Sequence, residues 1–109
     1  MEGLELDCFQ IISLVGVARS DYIEAISEAE KGNFDQAANL VSEGDESFNK
    51  GHIVHAKLIQ QEASGTHVDI NLLLLHAEDM LMSAETFKII ALQQINAYKQ
   101  IKALEDKKN

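Results

Sequence analysis

The sequence predicts an all-α protein, an antiparallel three-helix bundle whose helices run up, down and up. The 109 residues include no proline, the residue that most strongly breaks helices. Three long segments repeat apolar residues at alternating three- and four-residue steps, and glycine-containing turns separate these segments. The length and the 46% content of hydrophobic residues fit a single domain, residues 1–109, with a modest core.

The first predicted helix carries the most regular apolar stripe. It is expected to stop at the segment KGN, because Gly32 can adopt the left-handed conformation that often follows a helix end. Cys8, the only cysteine, cannot form an internal disulfide and is interpreted as a small core residue. Residues at these steps share one helical face, so the stripe should be buried. It consists of Leu4, Cys8, Ile11, Val15, Ala18, Tyr22, Ala25 and Ala29.

The second helix is predicted to begin with the segment FDQAANLV, to use Asn33 or Asp35 as its N-cap, and to end at Gly65. Glycines in its middle lower the helix propensity, so we expect the helix to bend or loosen there. These glycines are Gly44 and Gly51. The early apolar stripe is Phe34, Ala37, Ala38, Val41 and Phe48.

The third helix is predicted to start at Thr66 or Asp69 and to continue to about Leu104. One seam along it has the three-four spacing of a bundle core, and we expect this seam to pack against the first two helices. The seam consists of Leu73, Ala77, Met80, Ala84, Phe87, Ala91, Tyr98 and Ile101, with Ile70, Leu74, Leu81 and Ile95 beside them.

A second seam on the third helix has no role inside a three-helix bundle. It repeats as a heptad on another part of the circumference and alternates apolar layers with polar ones. An exposed apolar stripe is an association surface, and polar residues within such a stripe fix register and oligomer number. We therefore predict a homo-oligomer packed through the third helix. We name this stripe the outer seam: Leu72, Leu75, Asp79, Met82, Thr86, Ile89, Gln93 and Asn96.

In such an oligomer the Asp79 carboxylates face one another around the symmetry axis. Like charges at close range cannot all remain ionised without help. Either some of the carboxylates are protonated, or a hard divalent cation such as Mg²⁺ binds them on the axis. The alternative is a monomer on which Asp79 faces solvent, but the apolar neighbours of Asp79 favour burial.

His76 lies in the segment LLLLHAEDMLM and is the candidate catalytic residue. A neutral imidazole is a good nucleophile at neutral pH, so this side chain is a plausible covalent carrier of a phosphoryl group. An ordinary, partly buried histidine is the alternative. The sequence contains no glycine-rich phosphate loop, cysteine-histidine metal cluster or G-x-S-x-G elbow. His52 and His55 are interpreted as surface or groove residues, and His67 as a solvated turn residue.

The charge of the chain excludes one class of partner. Eighteen acidic residues against nine basic ones give a formal net charge of -9, which argues against a nucleic-acid surface. The longest apolar runs are too short to cross a bilayer, and the N-terminus is acidic where a signal peptide needs basic residues. We therefore expect a cytoplasmic protein that is not inserted in the membrane.

With these motifs in view, the chain resembles the IIA component of the lactose/cellobiose-type sugar phosphotransferase systems (PTS) of bacteria. The resemblance covers nearly the whole chain. Its most specific part is HAEDMLMSA, in which an aspartate follows the histidine by three residues and a leucine-methionine pair comes next. VGVARSDYIEAISEAEKGNFDQAANLV and IQQEASG also match, in the expected order and at the expected separations.

The resemblance implies a fold, a reaction and partners. The family forms a three-helix bundle, spectrin-repeat-like in its order, that assembles as a homotrimer. The residue matched by His76 accepts a phosphoryl group from the phosphocarrier protein HPr and passes it to a cysteine of the IIB component. IIB then phosphorylates the sugar, a disaccharide of the lactose/cellobiose/chitobiose class, at the IIC permease. The residue matched by Asp79 binds a metal at the trimer axis.

Two positions depart from the family pattern. Many members carry glutamine where this chain has Glu78, and a histidine where it has Met80. Without the second imidazole, other hydrogen-bond donors must contact the phosphoryl group, and Glu78 should mildly oppose phosphorylation unless it points away. Candidate donors from a neighbouring subunit are Gln60, Gln61, His52 and His55.

Two other functional classes are compatible with a helical chain that carries one prominent histidine. A histidine phosphotransfer domain of a two-component relay would depend on a response regulator rather than on HPr. A non-enzymatic interaction module would use the outer seam to bind a partner helix, and its histidine would be inert.

Overall fold

The protein folds as three long helices joined by two short connections. The computed structural model describes residues 3–108. The helices are α1 (Gly3–Glu30), α2 (Phe34–Ala63) and α3 (Leu72–Lys108), and together they measure 63 × 23 × 20 Å. α1 packs closely against both other helices, whereas α2 and α3 contact each other over a smaller area. The predicted all-α three-helix bundle is confirmed.

The stripe predicted for α1 forms the centre of the core. Seven of its eight residues are buried, and Leu4 is half-buried. Cys8 is fully buried, and this burial, together with the negative charges of Asp7 and Glu78, raises the pKa of its thiol. The thiol therefore stays protonated at neutral pH, as expected of a core residue.

The glycines of the two connections have the predicted role. Gly32 has φ +86° two residues after the end of α1, and Gly65 has φ +94° two residues after the end of α2. Both values lie in the left-handed region that favours glycine. Asn33 occupies the N-cap position of α2, as predicted, but its side-chain amide donates to Glu28 Oε2 at 2.8 Å and makes no cap hydrogen bond. Asp35 lies inside the first turn of α2.

The prediction that α2 loosens at its glycines is wrong, since the helix is unbroken from Phe34 to Ala63. Both glycines are buried where α1 approaches most closely. A Cβ atom on Gly44 would lie 2.7 Å from Tyr22 Cε1, and one on Gly51 would lie 2.8 Å from Val15 Cγ1. The missing side chains therefore permit the close packing of α1 and α2. In the early stripe Ala38 is exposed, and Leu40 is buried instead.

The predicted start of α3 is also wrong, because the helix begins at Leu72 rather than at Thr66 or Asp69. The Asn71 side chain supplies the cap: its Oδ1 accepts a hydrogen bond from the Leu74 amide at 2.9 Å. The preceding segment is held by a hydrogen bond from the Val68 amide to Glu62 Oε2, at 2.7 Å. At its other end the helix continues to Lys108, past the predicted Leu104.

The inner face of α3 is rotated from the predicted seam toward the residues placed beside it. The prediction is wrong for Ile70, which precedes the helix and is 74% exposed, and for Ile101, which is 48% exposed beyond the end of the core. Leu73, Met80 and other predicted seam residues are half-buried at the edge of the core. The buried inner face consists of Leu74, Ala77, Leu81, Ala84, Ala91 and Ile95.

Candidate functional site

The outer seam is exposed along its whole length. Its four large apolar residues are Leu72 (82% exposed), Leu75 (55%), Met82 (64%) and Ile89 (54%). The polar members of the seam are exposed as well. The exposure that the heptad pattern predicted is therefore confirmed, and the seam forms an apolar stripe with no partner among residues 3–108. Packing of this stripe against further copies of the chain stays a prediction.

His76 is exposed on the second turn of α3, at one edge of the outer seam. Helical side chains lean toward the N-terminus, so its imidazole lies over the first turn. That end of α3 carries the positive end of the helix dipole, which favours an anionic group nearby. The neighbours of His76 on the same face, three or four residues away, are Leu72, Leu73, Asp79 and Met80.

Met80 occupies the position of the family's second histidine and is directed toward α1. Its side chain is half-buried beside the core. Its Cε atom lies 3.8 Å from the point where Gly16 of α1 would carry a Cβ. The thioether therefore packs between α1 and α3, and it offers no N–H group to a phosphoryl oxygen.

Glu78 points away from His76, toward α2. Its two carboxylate oxygens lie 2.7 and 2.9 Å from His55 Nε2, and the His55 side chain is only 15% exposed. Glu78 therefore has a hydrogen-bonding partner on α2 and lies on the flank opposite His76. Since Glu78 points away from His76 of its own chain, its charge is not placed to oppose phosphorylation there. Sequence reasoning missed this pair because the two residues are on different helices and no spacing rule connects them.

Asp79 is exposed within the outer seam. Over residues 3–108 no three metal-ligating side chains of one chain lie together. Magnesium prefers six oxygen ligands, so one carboxylate on one chain is a poor site. Asp79 fits a divalent cation only where several copies of the chain bring their carboxylates together and water completes the coordination.

The remaining candidate residues lie on α2 and in the second connection. The His52 ring is exposed and stacks on Phe48, with 6.1 Å between the ring centroids. His67 is exposed beside Glu62 and Asp69, as predicted for a solvated turn residue. The structure thus brings His76 and Asp79 to one face of α3, whereas the α2 candidates of the same chain lie on a different surface. These are His52, His55, Gln60 and Gln61.

None of the helices within residues 3–108 combines the length and the apolar character needed to cross a membrane.

Comparisons with known proteins place the chain in a family. The sequence model described as PTS system, lactose/cellobiose specific IIA subunit matches residues 7–99. The lichenan-specific phosphotransferase enzyme IIA component of Bacillus subtilis (strain 168) is 38% identical over 100 residues, which cover 92% of this chain and 91% of that relative. The PTS system lactose-specific EIIA component of Lacticaseibacillus casei is 31% identical, with 97% and 95% of the two chains covered.

A solved structure agrees with the sequence comparisons. The crystal structure of the PTS cellobiose-specific enzyme IIA from Bacillus anthracis superposes on this fold with a TM-score of 0.90 at 36% sequence identity, covering 94% of this chain and 95% of that one. The fold, the family model and the relatives lead to the same assignment. This chain belongs to the lactose/cellobiose-specific IIA family of the sugar phosphotransferase system.

Proposed function

We propose that this protein is the phosphoryl carrier of a disaccharide phosphotransferase system, with His76 as the residue that carries the phosphoryl group. His76 takes the group from phospho-HPr and delivers it to a cysteine of the cognate IIB component. IIB in turn transfers the phosphoryl group to the sugar at the IIC permease. The observation that carries this proposal is the exposure of His76 on the flank of a rigid helix.

Exposure suits a residue whose donor and acceptor are both proteins. In the first transfer a nitrogen of the neutral His76 imidazole attacks the phosphorus of phospho-HPr. The new N–P bond forms as the bond from phosphorus to the HPr histidine breaks. In the second transfer the IIB thiolate attacks, the S–P bond forms and the His76 imidazole leaves. The carrier contributes position and electrostatic support rather than a substrate cavity.

The local structure of α3 supports a phosphorylated His76. The cap formed by Asn71 fixes the start of the helix at Leu72, so the imidazole lies near the positive end of the helix dipole. The pairing of Glu78 with His55 keeps the nearest glutamate of the helix away from the phosphoryl oxygens. Among the neighbours of His76 on its own face, the only charged side chain is that of Asp79.

We further propose that the outer seam assembles the protein as a homotrimer and that Asp79 binds a divalent cation at the trimer axis. The exposed apolar stripe gives the helices a surface to pack on. In a parallel trimer, three Asp79 carboxylates approach the axis, and a hard cation such as Mg²⁺ would offset their mutual repulsion.

The carrier function is tested by intact mass after incubation with phosphoenolpyruvate, enzyme I and HPr. The parent chain should gain one acid-labile phosphoryl group. His76→Ala should gain none while keeping its helical circular dichroism, because the nucleophile is gone and an exposed side chain contributes little to the fold. His67→Ala, which removes another exposed histidine, is the matched control and should be phosphorylated like the parent. Phosphorylation of His76→Ala would show that another residue carries the phosphoryl group.

A further inference from the structure

Arg19 is held at the edge of α1 without a counter-charge. Its guanidinium carbon lies 5.1 Å from the centroid of the Phe87 ring, so the cation rests on an aromatic side chain of α3. Its Nε is buried and has no hydrogen-bond partner among residues 3–108, and no carboxylate of that part of the chain forms an ion pair with it. A half-buried cation whose donors are unmet fits an anionic group from outside the chain.

Glu85 is the acidic counterpart on α3. It is exposed beside the outer seam, and it takes part in none of the ion pairs formed within residues 3–108. The lysine three residues further along the helix, Lys88, is already paired, because its Nζ lies 3.0 Å from Asp45 Oδ1 of α2. One cation and one anion next to the outer seam are therefore both unmatched within the described chain.

These two residues lie on opposite flanks of the outer seam. At about 100° per residue, Glu85 and Phe87 are on either side of Thr86, which belongs to the seam. Phe87 holds Arg19 on the side of α3 that carries His76, and Glu85 lies on the other side. Their heights match as well, since Glu85 and Phe87 are two residues, or about 3 Å, apart along the helix axis. Arg19 and Glu85 of one chain thus point to different neighbours at one level.

A parallel ring of copies brings the two flanks together. When the outer seams face a common axis, one flank of each α3 meets the opposite flank of the next, and equivalent residues share one height. Charged residues on the margins of such seams form the ion pairs that set partner choice and orientation. Five residues beyond Glu85, the facing margin carries the uncharged Ile90, so the cation at this place is the one that α1 supplies. A two-fold antiparallel pair would instead bring like flanks together.

We propose that Arg19 of one copy forms an ion pair with Glu85 of the adjacent copy at the margin of the outer seam. This inference rests on the proposed homotrimer, and it names a contact that sets the orientation of its copies. Phe87 restricts the guanidinium before assembly, so little side-chain freedom is lost when the pair forms. Ile90, which is 37% exposed and lies three residues beyond Phe87, adds apolar surface beside the pair.

The first experiment exchanges the charges. Arg19→Glu places two carboxylates in each contact and Glu85→Arg places two guanidinium groups there, so each variant should dissociate at a concentration at least about tenfold above that of the parent. The double variant Arg19→Glu/Glu85→Arg restores opposite charges and should return to within about threefold of the parent. Sedimentation measures the mass against concentration. A double variant that dissociates as readily as the single ones would overturn the pair.

A matched control has the same net charge as the exchanged chain. Glu24 is exposed on α1, two residues or about 200° around the helix from the buried Tyr22, so it points away from the other helices. Arg19→Glu/Glu24→Arg cannot rebuild the pair and should dissociate like Arg19→Glu. Recovery in this control as well would show that net charge governs assembly, and it would overturn the proposal.

A second pair of variants removes the charges without reversing them. Arg19→Met keeps an apolar side chain on Phe87, so the packing of α1 against α3 is preserved, and circular dichroism checks the helical content. Together with Glu85→Gln it forms a double-mutant cycle. If the two side chains act as a pair, the double variant should dissociate no more readily than either single one. Additive losses would contradict a direct contact.

Mixing the two charge reversals tests whether the pair joins different copies. Pure rings of Arg19→Glu chains or of Glu85→Arg chains contain only contacts between like charges. A trimer with both kinds of chain contains two contacts between opposite charges, so native mass should show mixed trimers in clear excess over a random distribution. A random distribution would contradict a contact between copies.

Failure of this inference is distinguishable from failure of the proposals on which it rests. A parent chain that is monomeric at micromolar concentration would overturn the homotrimer and the ion pair together. A trimeric parent whose charge-reversed variants are equally stable as trimers would overturn the ion pair alone. Phosphorylation of His76 is followed separately by intact mass, so the carrier function is judged on its own result.

Discussion

The two long faces of α3 both carry large apolar residues, but one face is buried and the other is exposed. The inner face is buried against α1 and α2, with Leu81 only 5% exposed. The outer seam carries residues that are just as apolar, yet Met82 is 64% exposed and no part of residues 3–108 covers it. The inner face therefore stabilises the fold of the single chain, whereas the outer seam is the surface that we propose packs between chains. Because His76 lies at the edge of the outer seam, the proposed carrier function and the proposed assembly involve neighbouring surfaces.

The largest effect should come from placing a charge in the outer seam. Met82→Glu would bring carboxylates together in an apolar contact and should convert the oligomer to monomers with unchanged helical circular dichroism. Sedimentation or light scattering measures the mass. Ser42→Glu, on the exposed side of α2, is the control and should leave the mass unchanged. A Met82→Glu protein that keeps the mass of the parent would show that the seam is not the interface.

A smaller effect is expected at the polar layer of the same seam. Removing divalent cations with a chelator should weaken the parent oligomer, because the Asp79 carboxylates then repel one another. Asp79→Asn removes the charge, so its oligomer should be insensitive to the chelator. Dissociation on dilution measures both, and the parent midpoint should shift by about tenfold, equivalent to about 1.4 kcal/mol. Identical responses of the two proteins would rule out a metal at Asp79.

Substitution on the inner face should change stability rather than assembly. Leu81→Ala leaves a cavity in the core and should lower the free energy of unfolding by about 2–5 kcal/mol. Leu104→Ala removes the same atoms from a side chain that is 61% exposed and should change it by less than about 0.5 kcal/mol. Urea unfolding in the monomeric Met82→Glu background separates folding from dissociation. Similar losses for both leucines would erase the distinction between the two faces.

A further prediction concerns glycines that pack against a neighbouring helix. Gly44→Ala places a Cβ 2.7 Å from the buried Tyr22 ring and should cost about 1–3 kcal/mol of unfolding free energy. Gly16→Ala meets only Met80 Cε at 3.8 Å and should be neutral or stabilising by up to about 1 kcal/mol, from the gain in helix propensity. Thermal unfolding measures both. A stabilising Gly44→Ala would mean that α1 and α2 can separate there.

The sequence predicts the features of this fold that depend on local periodicity. The α1 stripe and the outer seam are both regular heptads, and both were placed correctly because helical spacing decides which residues share a face. Gly44 and Gly51 were interpreted by helix propensity alone, whereas tertiary packing decides their role. The start of α3 was misplaced because Thr66, Asp69 and Asn71 can all cap a helix, and only the fold selects Asn71.

In the candidate site too, local spacing predicts some features and tertiary packing decides the others. His76 and Asp79 are three residues apart on one helix, so spacing places them on one face. The pair of His55 with Glu78 depends on how α2 docks against α3, and no local pattern reports that contact. The structure therefore adds the contact of the site that joins two helices.

The most direct test of the assembly role of the outer seam is the native mass of the parent chain at micromolar concentration. The account predicts a trimer of the 12.1 kDa chain, which dissociates more readily when divalent cations are removed. A monomer in the presence of Mg²⁺ would contradict it. The proposed Asp79 metal site, which needs several copies of the chain, would then not form.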